Sequence, residues 1–143
     1  MILADVNVLI YAFRTDSFDH GRYKQWLEAV VNGPAPYAVS PQVLASVIRI
    51  CTHPRIFRQP DTIDLTLQFA AKVMAPSRCH IVQPGPGHWD IFSRLCRQFR
   101  VTGNLVQDAW FAALAIESGC EWITADHDYA RFEGLTWRPP FEA

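Results

Sequence analysis

Four aspartates in this chain stand where short apolar segments end or helices begin. Asp5 follows Met1-Ile2-Leu3-Ala4, Asp108 lies three residues past Leu105, and Asp126 and Asp128 come just after Trp122-Ile123-Thr124. A carboxylate flanked by Leu3, Val6 and Val8 is costly unless it is paired or metal-bound. Carboxylates that meet in one crevice repel each other, which raises their pKa values and destabilises the fold until a cation neutralises them. A donor set of oxygens without His or Cys suits Mg²⁺ or Mn²⁺. Such an ion activates water for in-line attack on a phosphodiester, the chemistry of a nuclease or a phosphatase.

Each of these residues also has a plainer reading. Asp128 reads best as cap chemistry ahead of the short segment 129–132, and Asp126 serves equally well as cap or as ligand. Asp108 sits roughly 70° from the centre of the apolar stripe of its helix, at the border of the buried face. The helix dipole alone would favour an acid in that first turn. Asn104 and Gln107 have the spacing of a capping box. Between Pro41 and Pro60 stand Arg49, His53, Arg55 and Arg58 with no acid. That stretch is either a phosphate-facing patch or a solvated helix end. Arg94, Arg97 and Arg100 lie opposite the Trp89, Phe92, Leu95 and Phe99 stripe and read as a solvated face.

The elements that must position these groups follow from apolar periodicity. Residues 1–6 form a buried strand and 7–13 continue as a helix. Asp19 caps an amphipathic helix carrying Tyr23, Trp26, Leu27 and Val30, which Asn32-Gly33-Pro34 ends. Ser40-Pro41 opens the next helix, with Val43, Leu44, Val47, Ile48 and Cys51 on one face. Further helices are expected at 62–74, from Trp89 to Phe99 and from Leu105 to Ile116, with strands at 80–82, 121–124 and 135–137. Strands alternating with helices imply an α/β fold with a parallel sheet covered on both faces. In such sheets the carboxyl ends of the strands form the ligand crevice, which is where Asp5 and Asp126 fall.

The 143 residues, with 50% hydrophobic and 13 Lys+Arg against 14 Asp+Glu, suit one globular domain over 1–143. The longest apolar run, eight residues from Ala109 to Ile116, is far short of the ~20 a membrane helix needs. No secretory pattern opens the chain, so a cytoplasmic protein is expected. Cys51, Cys79, Cys96 and Cys120 lie far apart, without the close pairs of a zinc site, and read as buried reduced thiols. A net charge of −1 exerts no global pull on nucleic acid, so any such contact must be local.

Four segments resemble the PIN-domain ribonucleases, specifically the VapC toxins of bacterial toxin–antitoxin pairs. Residues 2–12, ILADVNVLIYA, resemble the opening strand with the first metal-binding Asp and a polar residue after it. Residues 43–57, VLASVIRICTHPRIF, resemble a segment typical of a VapC subgroup common in mycobacteria. Residues 107–115, QDAWFAALA, are similar to the helix bearing the third family acid, and 123–129, ITADHDY, to the final acidic motif. The resemblance implies a three-layer α/β/α PIN-like domain with a mostly parallel central sheet. It implies Asp5, Asp108 and Asp126 as catalytic Mg²⁺ or Mn²⁺ ligands, Asp128 as a further candidate, and Asn7 and Thr124 in support. It also implies RNA cleavage leaving 3′-hydroxyl and 5′-phosphate ends, a cognate VapB-type antitoxin whose tail lies in the acidic crevice, and a homodimer. Arg49 and Arg55 are the candidate RNA contacts. Tyr23 and Trp26 read either as dimer contacts or as core.

One position departs from the family. Many members carry a glutamate on the second segment, where this chain has Ser46. A hydroxyl can hold a water near a metal but supplies no charge, so weaker metal binding is expected, although three aspartates suffice for one ion. The rival reading is a catalytically weakened PIN-like module that binds RNA or a partner. A phosphatase using Asp5 as nucleophile, of the haloacid dehalogenase type, would need an acid two residues on. Asn7 stands there instead.

Overall fold

The computed structural model describes residues 1–142. β1 (Ile2–Ala4) passes directly into α1 (Val6–Phe13), followed by α2 (His20–Asn32), β2 (Tyr37–Val39), α3 (Pro41–Cys51) and α4 (Ile63–Met74). Then come β3 (Cys79–Ile81), α5 (His88–Gln98), α6 (Asn104–Ser118), β4 (Glu121–Ile123), a 3₁₀ turn over His127–Arg131 and β5 (Trp137–Arg138). All strand pairs are parallel, in the order β3-β2-β1-β4-β5. With helices covering the sheet this is the expected three-layer α/β/α fold. None of the described helices is long and apolar enough to cross a membrane.

The strand order decides where a ligand can sit. From β1 the chain builds outward through β2 and β3, then returns to place β4 and β5 on the other side. The order therefore reverses at β1, and a crevice opens at its carboxyl end. The first residue past that end is Asp5. Beneath it the core joins Leu3, Leu9, Val43, Val47, Leu114 and Trp122. The small residues Ala109, Ala112, Ala113 and Ala115 of α6 are all buried, which lets this helix lie close against the layers around it.

Local chemistry matches the sequence at two helix starts. Ser40 Oγ accepts from the Val43 amide with Pro41 in the first turn, and Thr62 Oγ1 accepts from the Leu65 amide. It differs at two others. Asp19 adopts a left-handed conformation, φ 58°, and makes no side-chain cap; its carboxylate pairs with Arg22 instead. The capping-box reading of Asn104 and Gln107 also fails, because Gly103 occupies the cap with φ 59° and ψ −130° and Asn104 is already helical. A side chain at Gly103 would be strained in that conformation.

β2 has no counterpart among the expected strands: only three residues long and preceded by Pro34 and Pro36, it reads locally as a link. It becomes a strand because β1 and β3 pair with it on either side. The last strand starts two residues later than expected and β3 one residue earlier. On α5, Leu95 is buried as expected, but Trp89 is 63% exposed and the buried aromatic at that end is His88. The four cysteines are free; Cys51 and Cys120 are buried and the other two half-buried. Burial pushes the Cys51 thiol up to about 11.

Arg14, just past α1, is buried and ties down the segment between α3 and α4. Its guanidinium bonds Asp16, Asp61 and the Gln59 carbonyl and lies 3.6 Å over the Phe57 ring. Tyr23 is half-buried and packs edge-on against Tyr11 and Phe141.

Candidate active site

Asp5 continues the sheet and starts a helix at once. Its amide donates to the Ile123 carbonyl at 2.8 Å, extending the β1–β4 ladder by one residue. Its Oδ1 accepts from the Val6 amide at 2.6 Å and caps α1. Its Oδ2 accepts from Thr124 Oγ1 at 2.6 Å and from Asn7 Nδ2 at 3.3 Å. Thr124 Oγ1 accepts in turn from the Asp126 amide at 3.0 Å, and Asn7 Oδ1 accepts from the Ala125 amide at 3.2 Å. The ends of β1 and β4 are thus stitched together by Asp5, Asn7 and Thr124. Asn7 is spent on this stitching, and the acid an aspartyl-phosphate mechanism would need there is absent.

Asp5 is 5% exposed. Burial pushes its carboxyl up to about 7; the bonds from Thr124 and Val6 oppose that rise, and the charges of Asp108 and Asp126 add to it. The α1 N-terminus favours the carboxylate, but desolvation outweighs it. Near neutral pH this group is therefore poised to hold or release a proton.

Asp108, on the second turn of α6, is half-buried, as its position at the stripe border implied. Tyr129 Oη donates to its Oδ1 at 3.2 Å. Burial raises the Asp108 carboxyl; the Tyr129 bond and the Arg131 cation lower it, while Asp126 and Asp128 raise it further. Tyr129 is buried among these acids, which pushes its phenol far up and keeps it a hydrogen-bond donor. Of the two roles left open by its sequence context, Asp126 takes the cap: Oδ1 caps the 3₁₀ turn by accepting from the Asp128 amide at 2.9 Å, while among the described residues Oδ2 has no partner. Asp128 is exposed, and it is Asp126 rather than Asp128 that caps.

Hydrogen bonds thus join Asp5, Asn7, Thr124 and Asp126, and Asp108 is coupled to Asp5 through charge. Ser46 is half-buried on α3 and Arg49 and Arg55 are exposed; among the described residues none of the three bonds to this group. Sequence reasoning missed Tyr129 and Arg131. The available signal was that both fall within five residues of Asp126, in the turn it caps.

Donor chemistry suits a hard divalent cation: the groups at this end of the sheet are carboxylates and a hydroxyl, and a carboxyl raised by burial, with two neighbouring acids adding to the rise, is stabilised by positive charge. Among the described residues no three acidic, imidazole or thiol side chains stand close enough to enclose an ion as placed. For these three aspartates to share an ion, Asp108 and Asp126 would have to turn toward Asp5.

Comparison with known proteins agrees with the fold. The PIN domain family model matches residues 2–135. Ribonuclease VapC43 of Mycobacterium tuberculosis is 36% identical over 142 residues, covering 99% of this chain and 97% of its own. Among solved structures, VapBC2 from Rickettsia felis bound to a fragment of promoter DNA superposes with a TM-score of 0.69 at 19% identity, covering 97% of this chain and 98% of that one. A toxin–antitoxin complex from Klebsiella pneumoniae superposes with a TM-score of 0.64 at 23% identity over the full length of both chains.

Proposed function

The chain belongs to the PIN-domain family, among its VapC ribonucleases, and on that premise we propose that it is the toxin of a toxin–antitoxin pair, an endoribonuclease that hydrolyses RNA with Mg²⁺ or Mn²⁺. The observation that carries this reading is the buried Asp5 carboxyl, raised to about 7 beside Asp108 and Asp126 at the reversal point of the sheet. A buried acid without a structural ion pair, pushed up further by the charges of two more acids, is a cost that a catalytic cation would offset.

In this reading Asp5, Asp108 and Asp126 hold the ion, and Asp128 adds negative charge at the rim. The bound ion supplies positive charge against the phosphodiester and acidifies a water. Thr124 and Asn7 hold Asp5 Oδ2 while the Val6 amide holds Oδ1, so the carboxylate keeps one orientation. Tyr129 does the same for Asp108, and a phenol that stays protonated never adds to the negative charge. Arg49 and Arg55, exposed and free of ion pairs with any described acid, are the proposed phosphate-backbone contacts. The partners proposed are structured RNA such as tRNA or rRNA, a VapB-type antitoxin as in VapBC2 from Rickettsia felis, and a second copy of this chain.

The test is cleavage of end-labelled tRNA and rRNA by purified protein with Mn²⁺, run beside EDTA and the Asp5→Asn variant. Cuts that need metal and vanish in the variant support the assignment. A folded protein that binds RNA without metal-dependent cuts would favour a binding module, with Ser46 the first residue to replace by Glu.

A further inference from the structure

Asp126 and Arg131 are joined through a single residue at the edge of the acidic site. The Asp128 amide donates to Asp126 Oδ1 at 2.9 Å, and the Asp128 carbonyl accepts from Arg131 Nε at 3.0 Å. One residue of backbone thus separates the two side chains, which puts Arg131 Nε within about 10 Å of the Asp126 carboxylate. In the same turn, two residues before Arg131, the Tyr129 hydroxyl reaches Asp108. The Arg131 cation is felt there, since it holds the Asp108 carboxyl down.

The turn is a firm base for this cation. Tyr129 and Phe132 are buried and pack against each other, and Tyr129 also packs against Trp122. The Phe132 amide donates to the Tyr129 carbonyl at 3.1 Å, and the Leu135 amide to the Phe132 carbonyl at 3.2 Å. Arg131 itself is exposed. Asp128 stands three residues before it, the spacing at which side chains eclipse in a 3₁₀ turn and an acid and a base ordinarily pair. Yet Arg131 takes the Asp128 carbonyl and forms no ion pair with any described acid. Glu133, the next acid along the chain, accepts instead from Gln98 at 2.9 Å. Among the described residues Nη1 and Nη2 of Arg131 have no partner, so a positive charge stands uncommitted amid acids.

An RNA phosphate is an anion that must approach a cluster of carboxylates. Three ionised aspartates outweigh the charge of one divalent ion, so such a site still repels a phosphodiester. A guanidinium fork answers that need, because its paired N–H groups match two phosphate oxygens.

We propose that Arg131 is a catalytic residue of this site, its Nη1–Nη2 fork gripping the non-bridging oxygens of the phosphodiester to be cut. The proposal rests on the ribonuclease reading and deepens it. Arg49 and Arg55 serve the RNA backbone, whereas Arg131 serves the reacting group, where negative charge builds in the transition state. The bond from Nε to the Asp128 carbonyl fixes the pivot of the fork.

The experiment measures cleavage of end-labelled tRNA and rRNA with Mn²⁺ and, separately, Mn²⁺ binding by calorimetry without RNA. Arg131→Ala, at an exposed position, is expected to lower kcat about 100-fold with a much smaller change in KM. Arg131→Lys should recover only part of the loss, since a point charge lacks the fork, and millimolar guanidinium ion should restore part of it to Arg131→Ala. Mn²⁺ should bind Arg131→Ala at least as tightly as wild type, because removing one cation beside carboxylates favours another. Unchanged kcat in Arg131→Ala, or a loss confined to KM, overturns the proposal and leaves the ribonuclease intact. So does an Mn²⁺ affinity that falls by as large a factor as kcat, which would show that Arg131 only supports the turn beneath the acids. Absence of metal-dependent cleavage by the wild type overturns both readings.

Discussion

Thr124 Oγ1 lies 2.6 Å from Asp5 Oδ2 and donates to it, while the same oxygen accepts from the Asp126 amide at 3.0 Å. One fully buried hydroxyl thus sets the direction of one acid and the backbone of another, across 119 residues of chain.

Thr124→Val keeps the shape and removes the donor. The bond from Thr124 is the strongest influence holding the Asp5 carboxyl down, so its value should rise above about 7. The acidic limb of the kcat/KM profile for RNA cleavage should move by about one pH unit to the alkaline side, and stability at pH 8 should fall by about 1–3 kcal/mol. An unmoved limb would separate Asp5 from the titration that controls activity.

The Asp5 value also makes the metal-free protein less stable as pH rises. Its carboxyl titrates near 7 folded against the ordinary 3.8, so between these values the folded state holds a proton that the unfolded state has lost. The contribution of Asp5 to stability is full at pH 4 and below, declines toward pH 7 and is level above it. For Asp5→Asn this decline should largely vanish, leaving the variant more stable than wild type at pH 8 by at most on the order of 4 kcal/mol. Urea melts in EDTA across this range measure the difference.

Metal binding should carry the same signature. Below pH 7 an ion ligated by Asp5 must displace its proton, so Mn²⁺ binding releases close to one proton at pH 6 and almost none at pH 8. Calorimetric titration in two buffers of different ionisation enthalpy reads this directly. Equal release at both pH values would remove Asp5 from the ligand set.

Arg14→Ala removes a buried guanidinium and leaves Asp61, the Gln59 carbonyl and the Phe57 face without their partner. Asp16 is largely exposed and recovers solvent, so the cost should be about 2–3 kcal/mol, seen as a melting midpoint lower by roughly 5–10 °C. Metal affinity at Asp5 should be unchanged, since no contact of Arg14 reaches that carboxylate.

Much of this was legible in the residues themselves. Ser40-Pro41 and Thr62 mark helix starts because a hydroxyl satisfies amides in its own first turn, a contact made within three residues. Asp5 stands out because an acid amid Leu3, Val6 and Val8 has no local reason to be there, and alternating strand and helix patterns restrict the fold to a covered parallel sheet. The tertiary structure alone decided that β4 lies against β1, and so that Thr124 rather than some nearer hydroxyl holds Asp5, that Tyr129 reaches Asp108, and that Gln42 meets Trp110. It also made a strand of residues 37–39, turned Trp89 outward in favour of His88, and gave the cap to Asp126. The physical reason is range: capping and periodicity act over a few residues of one segment, whereas strand order and the burial that lifts Asp5 to about 7 exist only once distant segments have excluded water together.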